Sequence, residues 1–127
     1  MRLVDTSAWI ERLVDSPIGR TIAGELPARN DWLVPTIVQF ELAKWLTRNV
    51  GEDKADQVVA YSVTCNVAIL DTAIALQAAE LSARFKLATA DAVVYVTAIS
   101  HDADLLTCDR HFEGLPGVRY IAKSAGA

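Results

Sequence analysis

At 127 residues, 52% hydrophobic and 22% charged, with 6 glycines and 4 prolines, the chain suits one globular domain and excludes disordered or fibrous classes. Cys65 and Cys108 are too few for a disulfide framework, and the apolar run near Ala92 to Ile99 falls far short of the roughly 20 residues a membrane helix needs. The net charge of −4 lacks the basic footprint of an ordinary phosphate binder, an objection that weakens if several acids converge on cations.

A single domain over residues 1–127 is expected, soluble and cytoplasmic, with reduced thiols and no membrane partner. Met1 to Asp5 carries a carboxylate where a leader would be apolar, so no leader is expected. The same residues read as a short strand that runs into Thr6 and Ser7, either of which can cap a helix striped by Ile10, Leu13 and Val14. Ser16-Pro17 ends that helix, and a short second one is expected over Gly19 to Leu26. Trp32 to Val34 reads as a second strand closed by Pro35. Thr36 with Gln39 three residues on has a capping-box pattern, opening a helix to about Asn49 that Gly51 stops. Another helix is expected from about Glu52 to Val63, then a strand over Val67 to Leu70. Asp71 or Thr72 caps the next helix, whose stripe is Ile74, Ala78, Leu81 and Phe85.

Ala90 to Ser100 favours a strand through its valines, but its length and the possible cap at Thr89 predict a buried helix. Asp104 to Thr107 and Val118 to Ile121 complete the strands. Strands alternating with helices predict an α/β fold: a central parallel sheet of about five strands, flanked by helices on both faces, with ligands at the strands' carboxyl ends.

Four acids stand out on that map. Asp5 ends the first strand, Asp109 lies just past the fourth, Asp91 opens a helix that is otherwise apolar, and Glu41 sits among Ile37, Val38, Leu42 and Trp45. Singly, each has an ordinary reading: a strand-end or turn aspartate, a first-turn helix acid, or, for Glu41, a pair with Lys44 or Arg48 at helical spacing. Gathered in one pocket they would repel and take up protons unless a cation neutralised them. Oxygen-only ligation selects a hard ion, Mg²⁺ with Mn²⁺ as a substitute, and such a site suits phosphodiester hydrolysis.

Other candidates are weaker. Asp71 reads as a helix cap, and Asp102 and Asp104 as solvent-facing turn residues. His101, His111, Cys65 and Cys108 match no zinc spacing. Trp9, Trp32 and Trp45 read as core or interface anchors, suggesting a dimer or partner face. Arg84, Lys86 and Arg110 are candidate phosphate contacts.

Together these residues resemble the PIN-domain ribonucleases. The opening VDTSAWIE resembles that family's strand-one motif, Thr36 to Glu41 its helical glutamate, Ala90-Asp91-Ala92 its third acid, and LLTCDRHF at 105–112 its fourth block. Similarity to the VapC branch implies a PIN-like fold and a small Mg²⁺-dependent endoribonuclease toxin acting on structured RNA, commonly tRNA or rRNA. It also implies a homodimer restrained by a cognate VapB-like antitoxin, with DNA met only through that antitoxin. The resemblance makes Asp5, Glu41, Asp91 and Asp109 metal ligands and Thr107 a hydroxyl supporting ligand or water placement, with Thr6 and Ser7 as further supports. Two other readings stay open: a PIN-like RNA-binding module without catalysis, and a receiver-like domain phosphorylated on Asp5. The second lacks an acidic pair on the first strand and a lysine on the last.

Overall fold

The first strand lies at the middle of the sheet. In the computed structural model, which describes residues 1–123, β1 (Arg2–Val4) pairs with β2 (Trp32–Pro35) on one side and with β4 (Asp104–Thr107) on the other. The edges are β3 (Asn66–Ala68) and β5 (Val118–Tyr120), giving the order β3-β2-β1-β4-β5 with every pairing parallel. The chain winds outward from β1 to β3, then returns to the opposite side of β1 through β4. The carboxyl ends of β1 and β4 therefore form a topological switch point, where an open parallel sheet presents a crevice to ligands.

Six helices connect these strands: α1 (Thr6–Leu13), α2 (Pro17–Ala23), α3 (Thr36–Asn49), α4 (Glu52–Val63), α5 (Thr72–Phe85) and α6 (Thr89–Ser100). All four residues of β2 are buried, so helices cover both faces of the sheet and apolar residues fill strand positions of either parity. In α6 every residue from Ala92 to Ala98 is buried, which explains a valine-rich sequence in helical form: the helix is enclosed on all sides and shows no amphipathic stripe. Among the described residues no helix is long and apolar enough to cross a membrane.

Helix starts depart most from the sequence expectation. The cap position of α1 is Asp5, not Thr6 or Ser7; its carbonyl accepts from the amides of Ala8 and Trp9 while its side chain makes no capping bond. Pro35 precedes α3, and the capping box does not form, because Gln39 Nε2 instead donates to Ser62 Oγ at 3.1 Å on α4. Thr89 begins α6 from inside it, after Ala88. The second helix starts earlier than expected, at Pro17, where Ser16 Oγ accepts from the Gly19 amide. Gly19 is required there, since any Cβ would strike the Glu11 carbonyl where α2 folds against α1. Asp71 caps α5 as expected, accepting from the Ile74 amide at 2.9 Å.

Trp9 and Trp32 are both core residues, edge to face with ring centroids 4.6 Å apart, and Trp45 is half-buried on α3. Large apolar side chains are exposed elsewhere, at Ile69 and Leu70 beside β3 and Leu76 on α5. Asp104 is not a free turn residue: it begins β4 and accepts two hydrogen bonds from the Arg2 guanidinium.

Candidate active site

Strand pairing builds the centre of the site. The Asp5 amide donates to the Leu106 carbonyl at 2.9 Å, continuing the β1–β4 ladder and bringing the end of β1 alongside Thr107. Asp5 is 6% exposed, and its Oδ2 accepts from Thr107 Oγ1 at 2.7 Å and Ser7 Oγ at 2.9 Å. Each hydroxyl is itself held by the backbone past β4, accepting from the Asp109 amide at 2.9 Å and the Cys108 amide at 3.0 Å respectively. One carboxylate oxygen is thereby locked in place. The hydrogen bonds among the described residues leave Oδ1 free to face a ligand.

Helices bring the other acids. Glu41, half-buried in α3, accepts from Thr6 Oγ1 at 2.7 Å and forms no ion pair with Lys44 or Arg48 among the described residues. Thr6 and Ser7 thus orient carboxylates, a role that competes with the capping expected of them. Asp91 stands in the first turn of α6, and Asp109 caps the 3₁₀ turn Arg110–Phe112, accepting from the His111 amide at 2.9 Å. That turn swings the His111 ring between the two aspartates, with Nδ1 3.0 Å from Asp109 Oδ1 and 3.3 Å from Asp91 Oδ2.

The four acids do not form one tight set. Ligand atoms of Asp91, Asp109 and His111 lie within 4.8 Å of one another, while Asp5 and Glu41 stand outside that trio. They remain within electrostatic reach. Burial pushes the Asp5 carboxyl up to about 6 against the pull of the Thr107 and Ser7 hydroxyls, and the charges of Glu41 and Asp109 push the same way. Asp91 is raised by burial first, then by Asp109, with Glu41 adding to it and His111 opposing. Among the described residues no lysine or arginine pairs with any of the four.

A hard divalent cation fits this donor set: a buried carboxylate with a free oxygen, two further aspartates and a glutamate in reach, and no lysine or arginine paired with them among the described residues. His111 adds an imidazole nitrogen. No zinc spacing in the sequence pointed to it; its partner Asp91 is twenty positions away and reached only through the fold. Arg84, Lys86 and Arg110 are exposed and unpaired among the described residues. Arg84 stacks on Phe85, and Arg110 lines a cleft with Cys108, Tyr120 and Lys123. The cleft that borders Glu41 is lined instead by Lys44 and Arg48.

The profile of the PIN domain family matches residues 2–118. The chain belongs to the PIN-domain family. No curated protein sequence matches it significantly. Solved structures share the fold at low identity. A toxin–antitoxin complex from Klebsiella pneumoniae superimposes with a TM-score of 0.79 at 22% identity, covering 95% of this chain and 100% of that one. Mycobacterium tuberculosis VapC20, a Sarcin-Ricin loop cleaving toxin, gives 0.76 at 16%, covering 97% and 100%. DNA-bound VapBC from Salmonella typhimurium gives 0.69 at 19%, covering 96% and 98%. Within this PIN domain Asp5 and Asp109 lie just past the carboxyl ends of β1 and β4, at the switch point of the sheet.

Proposed function

We propose that this PIN-domain chain is a divalent-metal-dependent endoribonuclease, the toxin of a toxin–antitoxin pair that acts in the cytoplasm. One observation carries the reading: Asp5, a buried carboxylate at the β1–β4 switch point, is oriented by two hydroxyls and crowded by like charges, with no basic partner among the described residues. Such an arrangement is unfavourable for the metal-free fold and becomes favourable when a cation enters.

Asp5, Glu41, Asp91 and Asp109 would hold Mg²⁺, with Mn²⁺ able to substitute. Bound there, the ion supplies a lowered pKa for the attacking water and neutralises charge developing on the phosphate. The chain's own contribution is placement. Thr107 and Ser7 fix Asp5, Thr6 fixes Glu41, and the Asp109 amide donates to the Thr107 hydroxyl and holds it. Water adds across the phosphodiester P–O bond, and the leaving oxygen departs with the proton.

RNA as substrate, with tRNA or rRNA the expected targets, follows from the resemblance and is in keeping with the description of VapC20 as a Sarcin-Ricin loop cleaving toxin. A VapB-like antitoxin as partner, contacting DNA on the pair's behalf, is in keeping with relatives solved as VapBC complexes on DNA. Exposed Ile69, Leu70 and Leu76 support a homodimer contact beside β3, and light scattering that gives a monomer at every concentration would remove it.

The deciding experiment is cleavage of total cellular RNA with cut sites mapped. Cleavage should require Mg²⁺ or Mn²⁺, stop with chelator, and fall by two orders of magnitude or more in a folded Asp91→Asn protein, beyond the roughly 10–100-fold typical of an outer partner of a metal site. Undiminished cleavage by that variant, or by wild type in chelator, overturns the reading.

A further inference from the structure

On the Glu41 side of the site, a cleft of about 640 Å³ opens from Thr6 and Glu41 and continues along α3 past Phe40, Lys44, Trp45 and Arg48. Phe40 and Lys44, Glu41 and Trp45, and Lys44 and Arg48 are each four apart, so helical geometry sets them in rows on one side of α3. At 1.5 Å per residue, Lys44 and Arg48 stand about 4.5 and 10.5 Å along the helix axis from Glu41. Both are exposed, and neither is paired with an acid among the described residues, in a chain whose net charge is −4. Beside them Phe40 is 62% exposed, its ring 6.0 Å from the Lys44 ammonium. Two free cations, the exposed Phe40 ring and the half-buried Trp45 ring in the cleft wall, leading away from a carboxylate of the site, combine what a single nucleic-acid strand needs: charge for phosphates and flat surfaces for bases. Bases can stack on protein rings only when unpaired. An acidic peptide would use the cations but gain little from the rings.

We infer that this cleft is the substrate subsite of the enzyme, holding the unpaired RNA nucleotides next to the scissile bond, with Lys44 and Arg48 on their phosphates and Phe40 and Trp45 on their bases. The inference rests on the ribonuclease reading above for its scissile bond, but its test is separable from it.

The test is fluorescence anisotropy of the full chain with a labelled single-stranded oligoribonucleotide, in EDTA to prevent turnover, from low to moderate salt. The Lys44→Ala/Arg48→Ala double variant should bind at least tenfold more weakly. Its log–log salt slope should be shallower by about 1.4, or about 0.7 for each phosphate of a single strand that the variant no longer neutralises. Phe40→Ala should weaken binding severalfold with the slope unchanged, and Lys54→Ala on α4 should match wild type. No binding by wild type, a double variant equal to wild type, or equal preference for an RNA duplex overturns the inference. So does displacement of the RNA by polyglutamate at matched charge while Phe40→Ala has no effect, which makes the occupant an acidic peptide. If the expected pattern holds but cellular RNA is never cleaved, the cleft stands and the nuclease reading falls. If RNA is cleaved with the same KM and cut sites by the double variant, the nuclease reading stands and the cleft falls.

Discussion

The two ends of β1 and β4 treat charge in opposite ways. At the amino ends, Arg2 grips Asp104 through Nε at 3.0 Å and Nη2 at 2.8 Å, and reaches the carbonyl and carboxylate of Glu25. Arg119 completes the cluster from β5, donating to Glu25 Oε1 at 2.8 Å. Every charge there is answered: hydrogen bonds from Arg119 and then Arg2 lower the Glu25 carboxyl, and the bond to Asp104 raises the Arg2 guanidinium. At the carboxyl ends the acids meet hydroxyls, amides and one another, and Asp5 and Asp91 are pushed up. Two strand residues, Leu3 and Val4, separate a charge cluster that stabilises the fold from one that strains it. The strained end is the candidate site, because a fold keeps uncompensated buried charge where something else compensates it.

Asp5→Asn breaks this contrast with the largest effect, and in two directions. Cleavage should fall by two orders of magnitude or more, beyond the loss typical of an outer partner, yet the metal-free protein should become more stable at neutral pH. A carboxyl near 6 in the fold and 3.8 when unfolded holds more protons folded than unfolded between those values. Stability from this group therefore falls as pH rises from about 4 to 6, and a penalty on the order of 3 kcal/mol stands in full above that window. Thermal melts in chelator should show wild type losing stability across the window and Asp5→Asn losing less. Matching pH profiles for the two would mean Asp5 is not strained.

Thr107→Val sharpens the comparison by removing only the hydroxyl that joins Asp5 to the Asp109 amide. Affinity for Mn²⁺, read by calorimetry or electron paramagnetic resonance, should drop by roughly 10–100-fold, with Thr107→Ser close to wild type. Unaltered affinity in the valine variant would show that Asp5 needs no positioning. The smallest effect is expected at the satisfied end. Arg2→Ala should cost about 1 kcal/mol in urea denaturation, since these side chains are partly exposed and water screens them, while cleavage stays within twofold. A large activity loss there would mean the two ends are coupled through the strands.

Much of this molecule was legible along the chain. Alternating short apolar runs and helical stripes marked the five strands and six α-helices of the described residues, and length overruled valine propensity in α6. Glu41 and Asp91 drew attention by standing among apolar residues, Asp5 and Asp109 by lying at the ends of strands. Less legible were the side chains with two possible employments. Thr6 and Ser7 are good caps, yet their hydroxyls turn to Glu41 and Asp5. Lys44 is at pairing distance from Glu41 in sequence but lies by the Phe40 ring. Asp104 read as a loop acid because its partner is 102 positions away.

Hydrophobic period and the placement of acids at element ends are local properties, repeated every few residues, so the chain alone determines the α/β order and nominates its carboxylates. Which hydroxyl holds which oxygen, that His111 enters the Asp91–Asp109 pair, and that Lys44 and Arg48 border the cleft beside Glu41 are decided by packing between distant segments. Directions and distances of a few ångströms follow from how helices seat on the twisted sheet, and no local pattern encodes that seating.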